Sequence, residues 1–343
     1  MGRRRRRALI LLGSALLLGC AVCGGAFLVY SRGIGAPSDS PEALRFDVPQ
    51  GATMKGTARA LKARGLIRSD LWFYLLARRR GALLKAGSYR ISPDMDAPSI
   101  LALLESGRGA HVTVSVPEGY TVKKIASLVE KDGICPAADF IAASGDRALL
   151  GEYGIPGDSF QGYLFPDTYF LVSGMEASAV VRMMADTFFK KLAAIPGSSS
   201  LSPQELHQRV ILASIVEREY RREEEAPLIA SVFVNRLRER WGLYSCATVE
   251  FILTEILGRP HPEAITVEDT RIDNPYNTYK WAGLPPGPIS SPGMIALDAA
   301  INPAQTGYYY FRLVDSGAGR HHFSGDFTEH IETGRIAVPK KAP

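Results

Sequence analysis

Val48-Pro49-Gln50-Gly51-Ala52-Thr53-Met54-Lys55 returns 68 residues later as Val116-Pro117-Glu118-Gly119-Tyr120-Thr121-Val122-Lys123. The same offset carries Gly65-Leu66 onto Gly133-Ile134. Each copy reads as a strand, a tight turn at Pro-x-Gly and then a helix. In the second copy Val122, Ile125, Ala126 and Val129 fall at i, i+3, i+4 and i+7, the spacing of one apolar helix face. Thr53 and Thr121 follow the turn and are suited to cap the helix N-terminus, because a threonine hydroxyl can accept from an unpaired first-turn N–H. Between the copies, Gly87 to Ile91 reads as a strand and Pro98 to Leu104 as a short helix. This mixture of strand and helix predicts an α+β protein.

Outward from the repeat, toward the N-terminus, lies Ser31 to Pro41, a Gly/Ser/Pro-rich stretch that reads as a linker. Before it stands Ala8 to Tyr30, uncharged throughout and preceded by Arg3 to Arg7. Such a segment is long enough to cross a bilayer as a helix. Arginines on one flank place that flank in the cytoplasm and the rest of the chain outside it. The length favours an uncleaved anchor over a signal peptide, whose apolar region is shorter. Leu18 before Gly19-Cys20 departs from a lipoprotein cleavage box. The chain has 40 Lys+Arg against 35 Asp+Glu, so without Arg3 to Arg7 the two are equal at 35. The basic excess therefore belongs to the anchor, and the body carries no nucleic-acid-binding charge. Composition, 46% hydrophobic and 22% charged, is that of a globular chain. Cys135 and Cys246 stand far apart and are free to pair or not in an oxidising compartment. No HExxH or paired-cysteine spacing supports a metal, and no cofactor is implied.

Toward the C-terminus the character changes near Gly145, where tyrosine, proline and asparagine rise. Met175 to Leu192, Ser202 to Arg222, Pro227 to Arg240 and Thr248 to Leu257 read as helices, and Tyr308 to Val314 as a strand. The second of these helices holds Val210 to Val216, apolar or small all round and therefore buried. Glu217 follows directly and shares a face with Val210, Ala213 and Ser214, whose small side chains leave room for an approaching group. Burial raises a carboxyl pKa, which suits a general acid. The competing reading is an end-of-helix carboxylate paired with an arginine such as Arg236. Glu219 lies about 200° further round the helix, so the two glutamates do not form a dyad. Glu223 to Glu225 read as a solvated acidic turn.

Small strand-turn-helix units of the kind repeated here resemble LysM-like glycan-binding modules, with duplicated scaffold as the alternative. The chain as a whole resembles the endolytic murein transglycosylase (YceG/MltG-like) family over roughly residues 40 to 335. The resemblance rests on Gly162-Tyr163-Leu164-Phe165-Pro166-Asp167-Thr168-Tyr169, Leu212-Ala213-Ser214-Ile215-Val216-Glu217-Arg218-Glu219 and Ala230-Ser231-Val232-Phe233-Val234-Asn235-Arg236-Leu237. It continues through Asn274-Pro275-Tyr276-Asn277-Thr278-Tyr279, Gly283-Leu284-Pro285-Pro286-Gly287-Pro288-Ile289 and Asn302-Pro303-Ala304. Two positions depart from the family pattern. Gln161 stands where glutamate is usual, and Tyr244-Ser245-Cys246-Ala247-Thr248-Val249 has a thiol in place of an aspartate.

The resemblance implies a membrane-anchored lyase of the cytoplasmic (inner) membrane, with a single span and its catalytic domain extracytoplasmic. It would cleave the bond between N-acetylmuramic acid and N-acetylglucosamine in peptidoglycan strands, leave 1,6-anhydro ends and so end strand elongation. Glu217 would be its one acid/base. Partners would be glycan strands and the polymerases and transpeptidases of cell-wall synthesis. Tyr276, Asn277, Thr278 and Tyr279 form a polar-aromatic loop suited to sugars, and Ser245 and Thr248 are further candidate substrate contacts. Asn235, a polar residue inside an apolar helix, reads equally as structural or substrate-facing. Asp167 reads as a second carboxylate or, after Pro166, a turn cap. The turn from Leu284 to Pro288 reads as a rigid wall of the cleft. A non-catalytic peptidoglycan-binding scaffold and a lysozyme-type hydrolase, with a second carboxylate at Asp167 or Asp273, are the alternatives. The expected layout is a basic tail at 1–7, a transmembrane helix at 8–30, a linker at 31–44, a LysM-like repeat region at 45–144, a larger α+β catalytic domain at 145–335 and a tail at 336–343.

Overall fold

The computed structural model describes residues 24–25, 28–49, 51–107 and 111–335. The membrane span read at 8–30 falls almost wholly outside them, as do the tails at 1–7 and 336–343. Among the described residues no helix is long and apolar enough to cross a membrane. Residues 28–34 are helical, so the segment read as a linker begins inside a helix.

The chain forms two compact units that divide between Val112 and Thr113, with Val172–Gly174 joining the first. In the first, β1 (Leu44–Val48) leads to α1 (Met54–Ala63) and α2 (Asp70–Arg80), and β2 (Gly87–Ile91) returns antiparallel to β1, Phe46 opposite Tyr89. α3 (Ala97–Ser106) completes it. Phe46, Leu61, Leu66, Phe73, Tyr89, Ile100 and Leu104 pack into one core. Gly51 adopts φ +76°, a left-handed turn open to glycine, and the Thr53 hydroxyl accepts from Gly56 N–H at 3.1 Å to start α1.

The second copy repeats this plan inside the other unit. β3 (His111–Ser115), most of which lies there, precedes α4 (Val122–Lys131), α5 (Ala137–Ser144) and α6 (Arg147–Glu152), and β4 (Thr168–Val172) pairs with β3. Gly119 has φ +75°, and Thr121 caps Lys124 N–H at 3.2 Å. The buried residues of α4 are Val122, Ile125, Ala126 and Val129, the face read from the sequence. The division therefore falls some thirty residues before Gly145, where composition changes. The reason is packing: α5 lies against both α4 and α7 (Ala177–Leu192).

The rest of this unit is mostly helical, with one β-hairpin, around a buried centre. α8 (Pro203–Val216) starts with a capping box between Ser202 and Glu205 and packs on α9 (Ala226–Arg238) and α11 (Met294–Ile301). α10 (Cys246–Phe251) runs on into a π-helical turn, Ile252–Ile256. β5 (Tyr310–Asp315) and β6 (Arg320–Ser324) form an antiparallel hairpin against which α12 (Phe327–Arg335) packs. α8 is shorter than the helix read from the sequence. It stops at Val216, and Arg218 and Glu219 close tighter turns onto Ile215 and Val216. Glu225, read as solvated, is buried, and His321 Nδ1 lies 2.7 Å from its carboxylate. Cys135 and Cys246 are both free thiols.

Candidate active site at the end of a buried helix

Every residue from Val210 to Val216 is buried, as the uninterrupted apolar run requires. The space beside Ala213 and Ser214 is taken by the chain itself. Ser214 Oγ accepts from Ile289 N–H at 3.0 Å, and Ser290 Oγ donates to Ser214 O at 2.9 Å. The Pro-rich turn thus leads into a segment that runs along α8. Gly162, at φ +88°, permits this, because a Cβ there would lie 2.6 Å from Pro288 and 2.9 Å from Val210.

The segment ends at Gly293, whose N–H donates to Glu217 Oε2 at 2.9 Å. Glu217 is partly buried at the C-terminal cap of α8. Loss of hydration is the main cause that pushes its pKa up to about 7, and the Glu118 carboxylate adds to the rise. The Gly293 N–H, Arg218 and the Tyr220 hydroxyl oppose it. The arginine pairing considered from the sequence does not form. Arg236 donates instead to Tyr309 O at 2.7 Å and Leu243 O at 2.5 Å, and Arg218 pairs with Glu250 at 2.6 Å. Glu217 is therefore a carboxyl that carries its proton over much of the range up to neutrality, where an exposed glutamate does not.

A second carboxylate stands close by. It is Glu118, and not Asp167 or Asp273. Gly119 N–H donates to Ser291 O at 2.9 Å and Ser291 N–H to Tyr120 O at 2.7 Å, which ties the second-copy turn to the 290–293 segment. A Cβ on residue 293 would overlap the Glu118 carboxylate, and one on Gly119 would lie 4.0 Å from Glu217 Cγ. Ser291 Oγ is buried and has no hydrogen-bond partner among the described residues. Asp167 is exposed, accepts from Thr168 N–H at 2.7 Å and faces Lys191 at 3.7 Å, while Asp273 pairs with Lys280 at 2.9 Å.

Of the residues read as substrate contacts, Ser245, Thr248 and Thr278 come together with their polar groups engaged with one another, while Asn235 and Asp167 lie with other partners. Thr278 Oγ accepts from Ser245 N–H at 3.1 Å and shares a hydrogen bond with Thr248 Oγ at 2.9 Å, and all three residues are buried. Ser245 Oγ donates to Glu219 at 2.5 Å. Burial pushes the Glu219 pKa up, and the Ser245 hydroxyl holds it down. Asn277, fully buried, donates to Thr270 O at 3.0 Å and Ile272 O at 2.7 Å and accepts from Tyr279 N–H at 3.0 Å. Tyr276 packs on Phe251 at 5.0 Å, and the Tyr279 hydroxyl meets Cys246 Sγ at 3.0 Å. Asn235 donates both amide hydrogens, to Thr306 O and Tyr308 O, each at 2.9 Å. Gln161 accepts from Val122 N–H at 2.8 Å, which a glutamate there would do equally well.

Glu118 and Gly293 escaped the sequence reading as site residues. The one signal was the change from Gln50 to Glu118 between otherwise similar turns, which marks the second copy as different.

Fold and site together define an α+β protein with a core helix ending in a proton-retaining glutamate, overhung by a glycine turn. The chain belongs to the YceG-like family, whose model matches residues 46–335. It is 29% identical over 315 residues to the endolytic murein transglycosylase of Bacillus subtilis, covering 86% of each chain. The protein of that name from Streptococcus pneumoniae strain D39 is 28% identical over 322 residues, covering 85% of this chain and 58% of the longer relative. A crystal structure of a YceG-like protein from Listeria monocytogenes shares 28% identity at a TM-score of 0.57, covering 85% of this chain and 99% of that one.

Proposed function

We propose that this protein is an endolytic peptidoglycan lytic transglycosylase with Glu217 as its acid/base. The observation that carries the reading is the partly buried Glu217 carboxyl, with a pKa pushed up to about 7 and its Oε2 held by the Gly293 N–H. Glu217 donates its proton to the glycosidic oxygen between N-acetylmuramic acid and N-acetylglucosamine as the bond to the muramic C1 breaks. The C6 hydroxyl of that muramic residue closes onto C1, and its proton passes to Glu217. The acid is regenerated, no water is consumed, and a 1,6-anhydro end forms. An attacking hydroxyl within the substrate has the advantage of proximity, so no protein nucleophile is needed. The names carried by the Bacillus and Streptococcus relatives support this substrate and reaction.

The uncharged segment 8–30 behind five arginines supports a single-span anchor in the cytoplasmic membrane with the body outside. The strand–helix–helix–strand order of the first unit supports a LysM-like glycan-binding role. Glycan polymerases and transpeptidases of the same compartment are the partners this placement suggests. The site assignment is tested by incubating full-length protein and Glu217→Gln with purified peptidoglycan and analysing fragments by mass spectrometry. Internal fragments with anhydromuramyl ends, absent with the variant, are expected. Reducing ends would make the protein a hydrolase, and normal cleavage by the variant would remove Glu217 from the mechanism.

A further inference from the structure

Two carboxylates from distant parts of the chain converge on one glycine. Glu217 receives the Gly293 N–H at 2.9 Å, and the Glu118 carboxylate occupies the space a side chain at residue 293 would need. The backbone bonds at Gly119, Tyr120 and Ser291 hold the turn that carries Glu118 against the 290–293 segment. Glu118 is solvent-accessible and has no salt-bridge partner among the described residues. Its counterpart in the first copy of the repeat is the uncharged Gln50.

We propose that Glu118 is a positioning residue for Glu217: its negative charge keeps the proton on Glu217 until a glycosidic oxygen takes it, and strengthens Glu217 as the base that follows. A fixed anion beside a carboxyl disfavours its ionisation. The other groups facing Glu217 are the Gly293 N–H, Arg218, itself paired to Glu250, and the Tyr220 hydroxyl, all of which favour the ionised form. Loss of hydration pushes the Glu118 pKa up, and the Glu223 charge adds to the rise. Glu118 is thus the charged residue that counters Arg218 at this site.

The inference rests on Glu217 as the acid, so its test is made in two parts. Rates of peptidoglycan cleavage by the full-length protein, Glu118→Gln and Glu118→Asp are compared from pH 5 to 9. The ratio of Glu118→Gln to wild type should start near one at low pH, fall as pH rises and level off above neutrality. Glu118→Asp, which keeps the charge, should retain the wild-type alkaline limb. A purely structural role would lower the rate by one factor at every pH, and that result overturns the proposal, as does an unchanged profile. In parallel, the Glu217 carboxyl is titrated by carbon NMR in wild type and Glu118→Gln. Its midpoint should move to lower pH in the variant. An unmoved midpoint overturns the proposal whether or not the protein cleaves, whereas a moved midpoint without cleavage in wild type faults the function alone.

Discussion

At the scale of single residues, the proposed site rests on a carboxyl whose burial favours its protonated form. The folded pKa of Glu217, about 7, lies above its ordinary 4.5. The folded chain thus binds a proton that the unfolded chain releases between these values. Folding gains fully from this below about pH 4.5 and loses it as pH rises through 7. Glu217→Gln removes that loss, so it should raise the melting temperature at pH 8 and have little effect near pH 4.5. The gain at pH 8 should be on the order of 3 kcal/mol at most. Thermal unfolding of both proteins across that pH range checks it, and equal melting temperatures at pH 8 would contradict a raised pKa. Catalysis should show the opposite face of the same number, with wild-type cleavage falling as pH rises through about 7. Gly293→Ala addresses the other half of the site. Gly293 has φ −80°, so backbone strain is not at issue, but the added methyl would overlap the Glu118 carboxylate. Because the methyl displaces Glu118 and leaves the Gly293 N–H to Glu217, cleavage should fall on the alkaline limb as it does for Glu118→Gln. A fully active Gly293→Ala protein would show that Glu118 does not need its present position.

At the scale of elements, the polar motif residues act mostly on the protein itself. Glu219 takes a different partner from Glu217, and the sequence does not reveal that it is tied to Ser245 beside Thr248 and Thr278. Asn277 spans two carbonyls of the 270–272 turn. Asn277→Ala leaves both without their donor, and such buried losses cost about 1–3 kcal/mol each. Asn277→Ala should therefore lower stability in denaturant titrations while leaving KM for soluble glycan fragments unchanged. A selective rise in KM with unaltered stability would restore Asn277 to the sugar site. Thr121 joins two elements, since its hydroxyl caps α4 and also donates to Glu255 at 3.0 Å. Thr121→Ala should cost about 1–2 kcal/mol, the usual worth of a helix cap, and the same titration measures it.

At the scale of the whole molecule, the repeat is divided between two bodies, the first copy building its own core and the second feeding the turn that carries Glu118 into the larger unit. A chain beginning at Thr113 should therefore melt as one cooperative transition by circular dichroism. A chain beginning at Gly145, where the composition changes, loses β3, the Glu118 turn and α4, and should fail to do so. Equal cooperativity in both would contradict the division at Val112. Much of this architecture was legible in residue order. Local periodicity determined the α4 face, the Thr53 and Thr121 caps, the β2 strand and the burial of Val210 to Val216, because each depends on residues within a turn or two of one another. The family motifs likewise singled out Glu217, the residue proposed as the acid. What no local pattern could supply were the meetings of segments far apart in the chain: Gly119 with Ser291, Glu118 with Gly293, Asn277 with the 270–272 turn, Glu225 with His321. A carboxylate's proton affinity and an amide's partners are properties of what surrounds them in space. That is why the sequence could single out Glu217 as the candidate acid, and only the tertiary structure decided what surrounds its carboxyl.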